Sequence, residues 1–360
     1  MLWVLRAPLS RTVLAIRLRQ LGDVLSTLGS LRALKGVAPD HRIVFVVDRG
    51  YHALLRRVEF IDELLPEPPE LTGFAGIDAF ERYIEDIRRL HPSCVLDFHS
   101  NTRSAILSFL SGAPTRAGFD VRIRKLLYTD VEARAVFTNG KMISRTSHES
   151  ALALVRRGGF DGASGTVENT IPSTLEECRS GREVLVRSGI PAGALDRGDV
   201  IGLNPGDPYP AKSWPESSFV GLARMLREDG RTVVVLWGPG ELDAAKRVVE
   251  GAKDAAYLAP ALSLDELPGV LKNIRLVVTI DSGLKHLAVA AGVPTVTLFG
   301  PTNPDEWHMG GEYDRYLYTG VSCSPCRLKE CPYDPPCMTR ITPEAVRDLV
   351  FEVEREISTR

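Results

Sequence analysis

Short apolar runs alternate with stretches of helical periodicity along most of this chain. Thr12-Val13-Leu14-Ala15-Ile16-Arg17-Leu18 is nearly continuous in aliphatic and β-branched residues, the pattern of a strand covered on both faces. From Val24 to Val37 the apolar positions Val24, Leu25, Leu28, Leu31 and Leu34 return at helical spacing. Arg42 to Asp48 is a second strand-like run, so the chain opens on a βαβ unit, which by default is parallel and right-handed. Cys94 to Phe98 predicts a further strand with helical Ser104 to Leu110 behind it.

A polar, glycine-rich stretch from Gly158 to Thr166 interrupts the rhythm and predicts a connection between domains. The alternation then resumes. Helix Leu175 to Ser188 precedes strand Val200 to Asn204, and helix Ser217 to Asp229 precedes strand Thr232 to Trp237. Strand Arg275 to Ile280 leads into helix Leu284 to Ala291 and strand Thr295 to Phe299. A last amphipathic helix, Ile341 to Ile357, is opened by Thr342-Pro343-Glu344, a capping threonine followed by a proline suited to the first turn. The fold class expected is α/β, with two Rossmann-like doubly wound domains facing a cleft. The expected boundaries are 1–165, 166–340 and a terminal helix over 341–360. There is no internal repeat.

Composition narrows the function classes. The 360 residues are 44% hydrophobic and 25% charged, with a formal net charge of −2. No global basic field draws such a chain to nucleic acid. No run approaches the roughly 20 apolar residues of a membrane span, and Met1 to Ser10 lacks a signal-peptide core and cleavage site. The expected location is cytoplasmic, with at most peripheral membrane contact.

In doubly wound sheets, ligands bind beyond the carboxyl ends of the strands, so three strand-to-helix turns are candidates. The first is Arg19-Gln20-Leu21-Gly22-Asp23, where a carboxylate at a helix start can take a proton from an attacking hydroxyl. Aspartate is also a favoured helix cap, and the turn alone leaves both roles open. The second runs from Asn204-Pro205-Gly206 through Asp207 to Pro210 and on to Lys212. Glycine there admits close backbone approach to a ligand, and Lys212 is either a cation for a diphosphate or a solvated side chain. The third is Asp281-Ser282-Gly283-Leu284-Lys285-His286. Its backbone N–H groups form a natural anion site, although Asp281 or Ser282 could simply cap the helix and His286 could be a core residue. No GxGxxG stands at any strand-to-helix turn, and GxxxxGK[ST] and GxSxG are absent.

These turns, in this order, resemble the ADP-heptose:lipopolysaccharide heptosyltransferases of glycosyltransferase family 9. The blocks that carry the resemblance are AIRLRQLGDVLSTLGSLRALK (15–35), VLDFHSNTRSAILSFLSGAPTRAGFD (95–120), IGLNPGDPYPAKSWP (201–215), VVLWGPGE (234–241) and VVTIDSGLKHLAVAAGVPTVTLFGPTNPDEW (277–307). The resemblance implies a GT-B fold, with the nucleotide-sugar donor on the second domain, the acceptor on the first, and the last helix crossing back onto the first. It implies inversion in one displacement without a catalytic cofactor or metal. By the same carry-over Asp23 is the general base. Asn204, Gly206, Lys212, Asp281, Ser282 and Gly283 hold the donor, Glu241 meets its ribose, and His286 stands behind the ligand. The absence of Asp-x-Asp agrees with leaving-group charge being met by Lys212 and helix N-termini.

The acceptor implied is a lipid-linked lipopolysaccharide core saccharide carrying Kdo or heptose, at the inner face of the inner membrane. Arg116, Arg122, Arg124 and Lys125, together with Arg56 and Arg57, could receive its carboxylates and phosphates or be solvated surface charges. Cys323, Cys326, Cys331 and Cys337 are bunched in a proline-rich segment, where structural zinc competes with reduced or paired thiols. Cys94 and Cys178 are isolated. Other readings of the fold are a transferase for another nucleotide sugar or saccharide, a non-hydrolysing epimerase, and a non-catalytic nucleotide-sugar-binding protein.

Overall fold

In a computed structural model describing residues 11–133, 135–138, 141–206 and 209–359, two six-stranded sheets share one strand order. Met1 to Ser10 and the start of the loop at Asp207 lie outside the described residues. The chain divides into two units between Thr166 and Val167.

The first unit contains β1 (Thr12–Ile16), α1 (Leu21–Val37), β2 (Arg42–Val47), α2 (His52–Leu55), β3 (Glu63–Pro66) and α3 (Gly73–Arg89). It continues with β4 (Pro92–Asp97), α4 (Thr102–Leu110), β5 (Thr115–Phe119), β6 (Asp130–Glu132), the hairpin β7 (Ala135–Thr138) and β8 (Lys141–Ser144), and α5 (Ser147–Arg157). Its sheet runs β3-β2-β1-β4-β5-β6, every pair parallel. Burial explains the apolar run of β1, since Val13, Leu14, Ala15 and Ile16 are all fully buried. Helix starts are written locally: Asn101 with Ser104 and Thr146 with Glu149 form reciprocal capping boxes on α4 and α5.

The second unit contains α6 (Leu175–Arg187), α7 (Ala192–Arg197), β9 (Val200–Asn204), α8 (Glu216–Glu228), β10 (Thr232–Val235), α9 (Leu242–Ala252) and β11 (Ala256–Leu258). There follow α10 (Leu267–Leu271), β12 (Leu276–Ile280), α11 (Gly283–Ala290), β13 (Thr295–Phe299), α12 (Pro304–Trp307), β14 (Asp314–Tyr318), α13 (Pro336–Thr339) and α14 (Pro343–Ser358). Its parallel sheet runs β11-β10-β9-β12-β13-β14. In both sheets the order reverses beside the first strand of the unit, which is where a doubly wound sheet opens a ligand crevice.

The terminal helix, set apart over 341–360 in sequence and expected on the first domain, falls here in the second unit. Its buried stripe of Val346, Val350 and Val353 joins the core of the second unit with Leu222 and Leu226 of α8. Thr342 caps it through Ala345 N at 3.2 Å, as its sequence suggests. Trp214 Nε1 donates to Ile341 O at 2.8 Å, and the buried Glu354 accepts from Arg231 at 2.9 Å. An amphipathic stripe specifies that a helix will be covered but not by which neighbour.

Candidate functional site

The turn after β1 places Asp23 in the first turn of α1, following Gln20, whose φ of 68° is left-handed. Arg17, mostly buried, donates through Nη1 to Phe98 O, and its Nη2 forms an ion pair with Asp23 Oδ1. The helix opens on Gln20, whose side chain makes no cap hydrogen bond to α1. The carboxylate is therefore oriented by a guanidinium that is itself anchored to the end of the neighbouring strand.

Beside it, the carboxyl end of β4 carries a residue that sequence reading missed. Asp97 is fully buried and accepts from Tyr128 Oη at 2.7 Å, Ser100 N at 2.8 Å and His99 N at 3.0 Å. Burial raises its carboxyl above the ordinary range, against the opposing pull of these donors. Its bonds build the turn into α4.

In the second unit the residues expected to hold a donor form a connected group. Asn204, at the end of β9, is buried and internally satisfied. Its Oδ1 accepts from Ser282 Oγ at 3.0 Å and Thr279 Oγ1 at 3.2 Å, and its Nδ2 donates to Glu241 Oε2 at 3.2 Å. Gly238 N also donates to Glu241 Oε2, at 2.8 Å. A Cβ on Gly206 would collide with the Glu241 carboxyl group, so glycine is required for that approach. Asn204 thus ties the turns after β9, β10 and β12 together.

Lys212 closes a short 3₁₀ turn, Pro210–Lys212. Its Nζ donates to Asp281 O at 3.0 Å and Oδ2 at 3.2 Å. Lys285 Nζ meets the other carboxylate oxygen, Oδ1, at 3.1 Å. Burial alone would push the Asp281 carboxyl up, but Lys285 and Lys212 outweigh it and hold the group well below the usual carboxylate range. His286 is 3.9 Å from Oδ1. Burial first, then Lys285, pushes its pKa well down, so the ring is neutral. Among the described residues no side chain caps α11 at Ser282, so the N–H groups that open this helix keep their anion-binding capacity.

The six basic candidates for acceptor contact separate. Arg116 is committed within its unit, its Nη1 donating to Ala113 O at 2.7 Å and its Nε to Leu127 O at 3.1 Å. Arg122, exposed, and Arg124, half-buried, lie on a 3₁₀ segment after β5. Lys125 pairs with Asp120 at 3.2 Å. Arg56 and Arg57 lie on the crossover that returns the chain from the carboxyl end of β2 to the amino end of β3. Arg19, Arg49 and Arg103, not singled out in sequence, line a cavity of about 430 Å³ with Asp48, Glu67 and Glu70. Glu67 accepts from Arg103 at 3.0 Å and from Arg19 at 3.3 Å.

Structural zinc at the cysteine cluster finds no site. Among the described residues no group of three or more His, Cys, Asp or Glu is arranged to hold a metal ion. The thiols are free, with Cys323 and Cys326 exposed, Cys331 half-buried and Cys337 buried. Also among the described residues, no helix is long and apolar enough to cross a membrane.

The sequence model of glycosyltransferase family 9 (heptosyltransferase) matches residues 81–336. Lipopolysaccharide heptosyltransferase 1 of Pseudomonas aeruginosa is 27% identical, the alignment covering 93% of this chain and 95% of that protein. The family 9 glycosyl transferase of Veillonella parvula superposes with a TM-score of 0.79 at 23% identity, over 97% of this chain and 99% of that one. An Escherichia coli heptosyltransferase solved with ADP-2-deoxy-2-fluoro heptose gives 0.67 at 22% identity, over 95% and 99%. The two doubly wound sheets have the GT-B fold of these structures.

Proposed function

The chain belongs to glycosyltransferase family 9, the heptosyltransferases, and from that membership we propose that it moves a heptose from ADP-heptose onto a lipopolysaccharide core saccharide. The observation that carries the reading is Lys212 held on Asp281 beside the uncapped start of α11. A cation and a set of fixed N–H dipoles at one place are what a departing nucleoside diphosphate requires.

In this mechanism the acceptor oxygen attacks the anomeric carbon on the face opposite the ADP oxygen. Asp23 takes the hydroxyl proton as the new C–O bond forms. The bond to the β-phosphate breaks with its electron pair going to ADP, and the configuration inverts. Lys212 and the N–H groups of Ser282 and Gly283 receive the charge, so no metal takes part. Glu241 is bonded through Oε2 to Asn204 and Gly238, which makes Oε1 the oxygen for a ribose hydroxyl. His286, neutral and buried, packs edge-on to Trp307 behind this turn.

On this reading residues 166–340 bind the donor and 1–165 the acceptor. The name of the Pseudomonas relative and the ADP-heptose analogue in the Escherichia coli structure support the choice of sugar, nucleotide and acceptor class. Arg122 and Arg124 are the arginines proposed to meet acceptor anions. A lipid-linked acceptor places the work at the inner face of the inner membrane. The test is ADP release from purified protein given ADP-heptose and Kdo–lipid A, with UDP- and GDP-sugars in parallel. Turnover of ADP-heptose that survives EDTA, and falls about 10²–10³-fold in Lys212→Ala, is the expected result. Turnover of a different nucleotide sugar alone, or dependence on added metal, would overturn it.

A further inference from the structure

Lys285 is fully buried on the first turn of α11, an expensive place for an ammonium group. Its Nζ donates to Trp307 O at 2.5 Å and to Asp281 Oδ1 at 3.1 Å, and lies 5.0 Å from the centre of the Phe299 ring. A leucine or methionine would fill the same volume without the desolvation cost, so packing alone does not account for a lysine here.

The charge balance does account for it. Asp281 is pinched between two lysines, one on each carboxylate oxygen. His286, 3.9 Å from Oδ1, is pushed toward its neutral form by burial and then by Lys285. The carboxylate of Asp314 is engaged by Thr295 Oγ1 at 2.5 Å and His308 Nδ1 at 3.2 Å. Two ammonium groups against one carboxylate leave one net positive charge. Of the three side chains only Lys212 has appreciable exposure, 19% against 6% for Asp281 and none for Lys285. Without Lys285, Asp281 would cancel Lys212 and the turn would present a neutral pair.

We propose that Lys285 is a positioning residue that neutralises Asp281 from the buried side, leaving the charge of Lys212 available to the donor diphosphate. This rests on the donor reading above. It separates the two functions of Asp281, which orients Lys212 through two hydrogen bonds while its charge is absorbed elsewhere.

The test is calorimetric titration of ADP, at low and high salt, into wild type, Lys285→Met and the double variant Asp281→Asn/Lys285→Met. Lys285→Met should bind ADP about tenfold more weakly, with a shallower salt dependence. The double variant removes one charge of each sign and restores the net charge, so it should bind ADP more tightly than Lys285→Met even though Asp281→Asn alters the contact that orients Lys212. A purely structural lysine predicts the opposite, since a second substitution in a damaged core weakens binding further. Affinity unchanged in Lys285→Met, or lower in the double variant than in the single one, overturns the proposal. Should Lys285→Met not fold, Lys285→Gln, which keeps a hydrogen-bond donor but no charge, takes its place: an about tenfold loss of ADP affinity with a shallower salt dependence supports the role, and unchanged affinity overturns it. Wild type that fails to bind ADP removes the donor reading and this role together, a result visible before any variant is made.

Discussion

Arg17 and Asp23 form an ion pair across the turn that leaves β1, with side chains only 10% and 17% exposed. The arginine is anchored on Phe98 O, so it fixes where the carboxylate stands as well as what it touches. As a general base, Asp23 should account for about 10²–10⁴ in rate. Asp23→Asn should lower kcat by that factor with little change in ADP affinity, and Arg17→Met should give a smaller loss through misorientation. ADP-release kinetics on both variants check this; normal turnover in Asp23→Asn would remove the base assignment.

The Asp281 carboxyl provides a pH signature. Its folded pKa lies below the unfolded value of about 3.9, because the two lysines outweigh burial. The unfolded chain therefore binds more protons in acid. The associated stability is present above about pH 4 and is lost as pH falls toward the depressed folded value. Asp281→Asn should lose stability at neutral pH, and its deficit relative to wild type should shrink below about pH 4. Urea denaturation between about pH 2.5 and 7 measures this, and a deficit constant across that range would contradict it.

Gly29, inside α1, packs against the segment ending the first unit. A Cβ there would collide with Thr166 O and stand 2.6 Å from His148 Cε1. His148 is itself held by Gly165 O at 2.9 Å, which limits its ability to give way. Gly29→Ala should cost about 1–3 kcal/mol by overpacking despite its better helix propensity. A stabilised variant would show that the segment yields.

Thiol chemistry should divide the six cysteines. Burial raises Cys94 to about 12 and also raises Cys337, whereas Cys323 and Cys326 are exposed. Ellman's reagent at pH 8 should label Cys323 and Cys326 quickly, and Cys94 and Cys337 only after denaturation. Labelling unchanged by chelator is expected of free thiols. Protection of all four clustered cysteines that chelator abolishes would instead establish a metal.

The alternating apolar runs made the two α/β units legible, because strands buried on both faces leave little freedom of interpretation: β9, β12 and β13 are buried throughout. The edge strands were not legible, since three-residue β6 is too short to carry a pattern. Helix α3 was readable but passed over, its buried Phe80, Ile84 and Ile87 keeping helical spacing. The turns proposed to hold the donor stood out through Gly206, Lys212 and Asp281. Lys285 did not, because in sequence a lysine four residues after an aspartate looks like an ordinary surface helix pair. Arg17 was hidden by its place in an aliphatic run. Arg116 shows the converse: a basic residue in a basic cluster gives no sign in sequence that its Nε and Nη1 donate to backbone carbonyls.

Every strand-to-strand bond in the two large sheets stays within its own unit. Each unit thus carries a complete sheet and an apolar core of its own. On the donor reading, nucleotide held by the turns after β9 and β12 should raise the melting temperature of the unit that carries them.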